Sequence, residues 1–301
     1  SVRSLTPNQQ RDQFRIHTMT ELPPIDTRFQ LGKTITPIQK SFLDQHGFLH
    51  FSGVLSKDEL TMVSAELDGI QERWLASNRK WVHGIPIFYG KDHEGRPWIQ
   101  RFTFTSMFSE AIADLVTDGR FEPVRRLVGD DARIGVDEKD GVVVNRYMNV
   151  PGSAYPRLGW HTDGLRDICQ LRMPQQMLNV GLHLDDCSAD NGGLRLIPGS
   201  HRQGFRDMCF RKLYFLDHRD DDAEIVVETK AGDLTVHDGR LWHRVAQSNR
   251  TGPASLRRSM YIPYLTGPYE PKSDDSRTPP YHYAGMALRK LKALRARLLP
   301  S

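Results

Sequence analysis

The chain has little cysteine: three residues in 301, Cys169, Cys187 and Cys209, with no C-x-x-C pair among them. An odd, scattered set excludes a disulfide framework and suits a reducing compartment, so a cytoplasmic location is expected. No apolar run approaches the roughly 20 residues needed to cross a bilayer, and no membrane span is expected. The opening SVRSLTPNQQRDQ lacks the apolar centre of a secretory signal. Charge of one sign is scarce too. Lys and Arg number 41 against 37 Asp and Glu, leaving +4. That balance gives no reason to expect a nucleic-acid partner, and neither an RNA-binding signature nor a zinc-finger spacing is present. Internal repeats are absent.

What is present belongs to an ordinary globular chain: 38% hydrophobic and 26% charged residues, long enough to bury a substantial core. Residues 1–35 mix polar residues with Pro23 and Pro24 and show no period, which predicts an N-terminal arm. ITPIQKSFLDQHGF predicts a helix capped by Thr36, with Pro37 at its first position and Gly47 as its stop. FLHFSGV (48–54) alternates as a strand does. The stretch from Ser56 through KDELTMVSAELDGIQERWLAS predicts a second capped helix. WIQRFTFTSMF (98–108) predicts a strand, and EAIADLVTDGRFEPVRRLVG one or two short helices.

From residue 141 the pattern changes to strand-like segments separated by Gly, Pro, Asn and Asp: GVVVNRYMNV, MLNVGLHLDD, GLRLIPGSH, DLTVHDGRLWHRVAQ and RRSMYIPYL. Helices lead and strands follow, so alternating βαβ units are excluded. The expected fold is mainly β with flanking helices, its core an all-β sandwich or jelly roll. A single domain over 36–270 is predicted. Within it the polar stretch 202–229 is too long for a simple connection and reads as a lid. Asp220–Asp222 lack EF-hand spacing and read as a solvated loop. The extension 271–301 ends in MALRKLKALRARLL, whose basic residues and leucines at 288, 291, 294 and 298 predict an amphipathic helix.

The chemistry begins at WHTDG (160–164). Along a strand, residues i and i+2 share a face, so His161 and Asp163 point the same way if the strand continues through them, and Thr162 points away. An imidazole and a carboxylate presented together supply two ligands of a 2-His-1-carboxylate triad, the ferrous site that leaves open positions. H-x-D alone is weak. AGDLTVHDGRLWHRVAQSN offers two candidates for the third ligand, His237 and His243. Arg257 and Arg258 follow on the next strand-like segment, where an arginine can pair with a carboxylate entering the site.

Taken together these elements resemble the phytanoyl-CoA dioxygenase superfamily of Fe(II)- and 2-oxoglutarate-dependent oxygenases, over about Thr36 to Leu265. TPIQKSFLDQHGFLHFSGVLSKDEL resembles the family's opening helix–strand–helix, and WHTDG its H-x-D element. LHLDDCSADNGGLRLIPGSH and AGDLTVHDGRLWHRVAQSN…LRRSMYIPY resemble its later strands. The resemblance implies a double-stranded β-helix with Fe(II), 2-oxoglutarate and O2 as cofactors and a small molecule as substrate. It implies His161, Asp163 and His243 as metal ligands, with His237 packing near the site. Arg257, or Arg258 by strand parity, is implied for the far carboxylate of 2-oxoglutarate, and Asn145 for a polar contact to it. Val245 departs from the family, which commonly has a small hydroxyl residue two positions after the distal histidine. The carboxylate at 163 implies hydroxylation or another oxygenation, desaturation or cyclisation outcome rather than halogenation. A secondary metabolite is the first substrate class expected, an acyl-CoA ester the second. The rival readings are a non-catalytic cupin-like binding protein and a zinc hydrolase, since two histidines and a carboxylate also suit zinc. His183, His201, Asp185 and Asp186 are expected to serve the core and the loops.

Overall fold

Two capping boxes start the helices that back the molecule. Thr36 and Gln39 exchange side-chain-to-backbone hydrogen bonds of 3.3 and 2.8 Å, opening α1 (Pro37–His46), which Gly47 ends at φ 81°. Ser56 and Glu59 form the same reciprocal pair ahead of α2 (Lys57–Ala76). Val63, Leu67, Ile70 and Trp74 form its buried stripe. Short helices α3 (Glu110–Val116) and α4 (Glu122–Arg125) follow, then α5 (Leu165–Cys169) and α6 (Phe205–Phe210). These elements come from a computed structural model, which describes residues 21–151, 153, 156–280, 282, 283 and 286. The basic helix expected at 286–299 lies almost wholly outside the described residues.

The strands are β1 (Phe48–Phe51), β2 (Trp81–Val82), β3 (Ile85–Pro86), β4 (Phe88–Lys91), β5 (Pro97–Phe102), β6 (Arg133–Ile134) and β7 (Val143–Tyr147). After them come β8 (Leu158–His161), β9 (Met177–His183), β10 (Gly193–Leu196), β11 (Ile225–Val227), β12 (Leu234–Asp238), β13 (His243–Ala246) and β14 (Arg257–Leu265). The larger sheet runs β1-β12-β9-β14-β7-β5-β4, with β6 on β14, and the smaller runs β11-β10-β13-β8. From β7 onward the chain passes back and forth between the two sheets, which is the winding of a jelly roll.

Strand parity divides the larger sheet into two faces. Val144, Val180, Leu182, Val236, Met260 and Ile262 join Leu67, Ile70 and Trp74 of α2 in one apolar core. The alternate residues, Asn145, Asn179, His183, Thr235, His237, Arg257 and Ser259, face the smaller sheet. That sheet seals its outer side with buried Trp160, Ile197 and Trp242. The interior between the sheets is therefore polar.

Two predicted segments differ from expectation. The strand drawn over 98–108 stops at Phe102. Phe104 is fully buried at φ 56°, donates its N–H to Asp140 O, and leads into a 3-10 turn at Thr105–Met107. Tertiary packing overrides the alternation there. The 202–229 stretch is only partly loop, because β11 within it pairs with β10.

Candidate metal centre

β8 ends on His161 and β13 begins with His243, and the two are cross-strand partners in an antiparallel pair. Side chains opposed in this way stand side by side, and the imidazole centroids lie 4.1 Å apart. Each ring is fixed by the carbonyl two residues before it. His161 Nδ1 is 2.8 Å from Gly159 O, and His243 Nδ1 is 3.0 Å from Leu241 O. A carbonyl only accepts, so both Nδ1 atoms carry the proton and both Nε2 atoms present lone pairs. Burial pushes both imidazoles below their ordinary pKa, that of His243 well below. Both rings are neutral, as ligation requires.

Asp163 reaches the site by a different route from the one parity suggests. The strand stops at His161, and Asp163 sits in the turn that follows. Its N–H donates to Gly239 O at 2.7 Å, binding the turn after β8 to the turn between β12 and β13. Its Oδ1 is 3.9 Å from His243 Nε2. Its Oδ2 accepts from Asn179 Nδ2 at 3.2 Å and lies 3.3 Å from His237 Nε2. Burial opposes ionisation of this carboxyl, but the imidazoles of His243, His237 and His161 hold it well below the usual carboxylate range. One ligand atom from each of His161, Asp163 and His243 lies within 4.8 Å of the other two. Two neutral imidazoles and one carboxylate, with no thiolate in the group, form a donor set that fits a ferrous ion.

His237 comes from the opposite sheet, its ring 4.5 Å from that of His243, and neither of its buried ring nitrogens makes a well-aligned hydrogen bond. It stands beside the carboxylate, outside the group of three. Thr162 points away, its hydroxyl 2.7 Å from Tyr214 Oη in the 202–229 segment. Trp160 is fully buried, with Lys212 Nζ and the Arg244 guanidinium 5.0 and 5.3 Å from its ring. The bulky residue before His161 thus anchors β8 from outside.

Parity also separates the two arginines. Arg258 faces α2, where it makes a bidentate pair with Asp185 at 2.8 and 2.9 Å and donates to Ser64 Oγ at 3.0 Å. Arg257 faces the interior and is buried. Its Nη atoms donate to Ala246 O and Pro156 O at 2.7 and 3.0 Å, and its Nε has no partner. Asn145 stands on the same inner face, opposite Ser259 of β14 and Arg101 of β5.

The other singled-out residues are structural. His183 Nε2 is 2.9 Å from Thr235 Oγ1, and His201 Nε2 is 3.2 Å from Asp44 O. Asp186 accepts from Ala231 N and Lys230 Nζ at 2.9 and 3.1 Å. A surface cavity of about 450 Å³ bounded by Arg28, His50 and Lys230 does not include the triad. Its neighbouring buried carboxylate, Asp233, is already satisfied by Arg28, His50 and two backbone amides.

Three residues near the metal centre have no counterpart in the sequence reading. Asn179 was visible in principle, since it shares the inward parity of MLNVGLH with His183. Lys139 Nζ donates to Asp163 O at 3.0 Å from a turn that carries no signature. The Phe215 ring lies 4.8 Å from that of His161, placed by a segment whose course the sequence does not reveal.

The phytanoyl-CoA dioxygenase (PhyH) family model matches residues 43–259, and the chain belongs to that family. No curated protein matches it in sequence. Among solved structures it is similar to the non-heme alpha ketoglutarate dependent carbocyclase SnoK from nogalamycin biosynthesis, with TM-score 0.58 and 17% identity over 86% of this chain and 94% of that one. HygX from Streptomyces hygroscopicus, solved with nickel and 2-oxoglutarate bound, gives 0.55 and 19% over 77% and 87%. EctD from S. alaskensis with bound Fe gives 0.57 and 18% over 81% and 82%. The likeness to these three is one of fold.

Proposed function

We propose that the protein is a Fe(II)- and 2-oxoglutarate-dependent dioxygenase that oxidises a C–H bond of a small molecule, most simply by hydroxylation. The observation that carries this reading is the convergence of two neutral Nε2 atoms and an ionised carboxylate, each held by a backbone tie. Iron bound there would couple the oxidative decarboxylation of 2-oxoglutarate to succinate and CO2 with insertion of the second oxygen atom of O2 into the substrate.

The chain's own residues do the rest. Nδ1–H donation to Gly159 O and Leu241 O aims the two imidazoles. Asn179 holds one carboxylate oxygen of Asp163, with His237 Nε2 beside it at 3.3 Å, so that the other stays free to ligate. Arg257, buried with an unpaired Nε, supplies the cation for the far carboxylate of 2-oxoglutarate, and Asn145 a polar contact on the same face. A carboxylate at 163 fills the coordination position that a halide would need. Phe215 lies over His161, and its backbone N–H donates to Trp160 O at 2.8 Å. The 202–229 segment therefore walls the site on that side and excludes water from it.

A secondary metabolite is the substrate class this reading favours, supported by the likeness to SnoK, and an acyl-CoA ester, as in the family's name, is the second. A zinc hydrolase on the same donors leaves Arg257 without a role. The test is a metabolite screen on anaerobically prepared, Fe(II)-loaded protein, recording succinate release and product mass. Succinate released with a product 16 mass units heavier is expected. Zinc retention with hydrolysis and no succinate would refute the proposal.

A further inference from the structure

Beside the metal centre, the chain after β14 folds back over the turn before β7. Lys272 N donates to Asp137 O at 2.7 Å, and Glu138 bridges to Pro271. This brings Lys139, Tyr269 and Lys272 into one neighbourhood, in which Arg166 acts on all three and Asp140 on both lysines. Lys139 reaches the triad directly through Asp163 O, and its ammonium lies 5.3 Å from the centre of the Tyr269 ring. Tyr269 Oη and Lys272 Nζ are buried atoms with no hydrogen-bond partner among the described residues. Lys139 adopts φ 56°, a conformation that a non-glycine residue rarely takes without tertiary constraint and that concentrates at ligand sites.

The charge balance points the same way. Arg101 and Arg166 lie close enough to act on the Lys272 charge, while Asp140 acts on both lysines and Asp167 on Lys139. Glu138 is engaged by Arg133. Once Asp163 is committed to a metal, Asp140 and Asp167 are left to Lys139, Lys272, Arg101 and Arg166, with Asp140 already paired to Arg101 at 2.7 Å and burial lowering the Lys139 pKa. Burial lowers Lys272 to about 8 against the pull of Asp140, so near neutral pH its ammonium stays charged with no hydrogen-bond partner among the described residues. A buried ammonium and a buried hydroxyl that both lack hydrogen-bond partners are unfavourable unless an anion completes them.

We propose that Lys139, Tyr269 and Lys272 form a subsite for an anionic group, a carboxylate or a phosphate, carried by the molecule oxidised at the metal centre. The assignment rests on the proposed oxygenase function and narrows its substrate to an acid.

The test uses calorimetry on the full chain loaded with nickel(II) and saturating 2-oxoglutarate, with acetate and inorganic phosphate as separate probes. At least one probe is expected to bind saturably to the wild type, and which one does so distinguishes carboxylate from phosphate. Lys272→Met should weaken that binding at least tenfold, Tyr269→Phe by a smaller factor, and Lys272→Arg should restore it. Affinity for 2-oxoglutarate should be unchanged in all three variants. Absence of binding by either probe, or unchanged binding in Lys272→Met, would overturn the subsite. A matching loss of 2-oxoglutarate affinity would overturn it too, by making the cluster a co-substrate site. If the wild type binds no 2-oxoglutarate, the oxygenase reading falls by itself, and the same titration on the metal-free chain still decides the anion site.

Discussion

At the scale of single residues, the site depends on which atoms are already occupied. His161 and His243 each commit Nδ1 to a carbonyl and keep Nε2 free, whereas His237 faces the carboxylate. Replacing His243 with Gln should abolish tight metal binding, while His237→Gln should weaken it by about 10- to 100-fold, the usual cost of losing a group that orients a ligand. Equilibrium dialysis against Fe(II) under nitrogen separates the two, and equal effects would mean that the ligands are misassigned. Asp163→Ala should reduce turnover to background, and full retained hydroxylation by that variant would contradict the triad. The arginines give a second contrast. Arg257→Met should weaken 2-oxoglutarate binding at least tenfold, about 1.4 kcal/mol, and also lower Tm, since Ala246 O and Pro156 O lose their donors. Arg258→Met should cost about 2 kcal/mol of stability through the stranded Asp185 while leaving co-substrate affinity intact, so co-substrate affinity is what separates the two.

The candidate residues were legible before any fold was known, since H-x-D, two later histidines and an arginine pair can be read directly, and the preference for His243 over His237 was implied by the resemblance. The choice between Arg257 and Arg258 was not. It required knowing which face of β14 packs on α2, a property of the sheet and not of the strand.

At the scale of elements, capping and periodicity located α1 and α2 well, because Thr36–Gln39 and Ser56–Glu59 are local interactions with fixed spacing. The reading of WHTD as continuous strand was half right. Local alternation cannot foresee that the strand ends at His161, or that a hydrogen bond to Gly239 then steers Asp163 back to the same point. The course of the 202–229 segment was not legible. It runs against β8, with Phe215 N on Trp160 O and Trp160 N on Asp217 O at 2.9 Å. Gly159 permits this approach, since a Cβ there would sit 2.5 Å from Phe215 O. Gly159→Val should displace this wall and the Phe215 ring from His161. Hydrogen exchange should rise in residues 213–219, and turnover should fall more than metal affinity does. Unchanged exchange would show that the segment does not depend on that contact.

At the scale of the whole molecule, one sheet serves two purposes. Its outer face buries the apolar core against the helices, and its inner face gathers the polar groups of the site, as alternation in a jelly roll requires. The sequence pattern implied this architecture because each strand alternates in type. Long-range ion pairs were not visible, and Asp233 is the clearest case. It joins Arg28 of the N-terminal segment, His50 of β1 and the Gly53 and Lys230 amides. Burial opposes ionisation of Asp233, but the hydrogen bonds outweigh it, first His50 and then the two amides, and depress its pKa. A depressed carboxylate pKa contributes stability that is present above the unfolded value of about 3.9 and is lost as pH falls towards the folded one. Asp233→Asn should therefore lower Tm at pH 7 and flatten the decline of Tm below pH 4. A parallel downward shift at every pH would contradict the linkage.

The central claim is that His161, Asp163 and His243 share one metal ion. Anomalous diffraction at the iron edge, on crystals of the anaerobically Fe(II)-loaded chain, addresses it directly. A single iron peak is predicted within bonding distance of both Nε2 atoms and an oxygen of Asp163. A peak elsewhere, or one held by His237 in place of His243, would contradict the account.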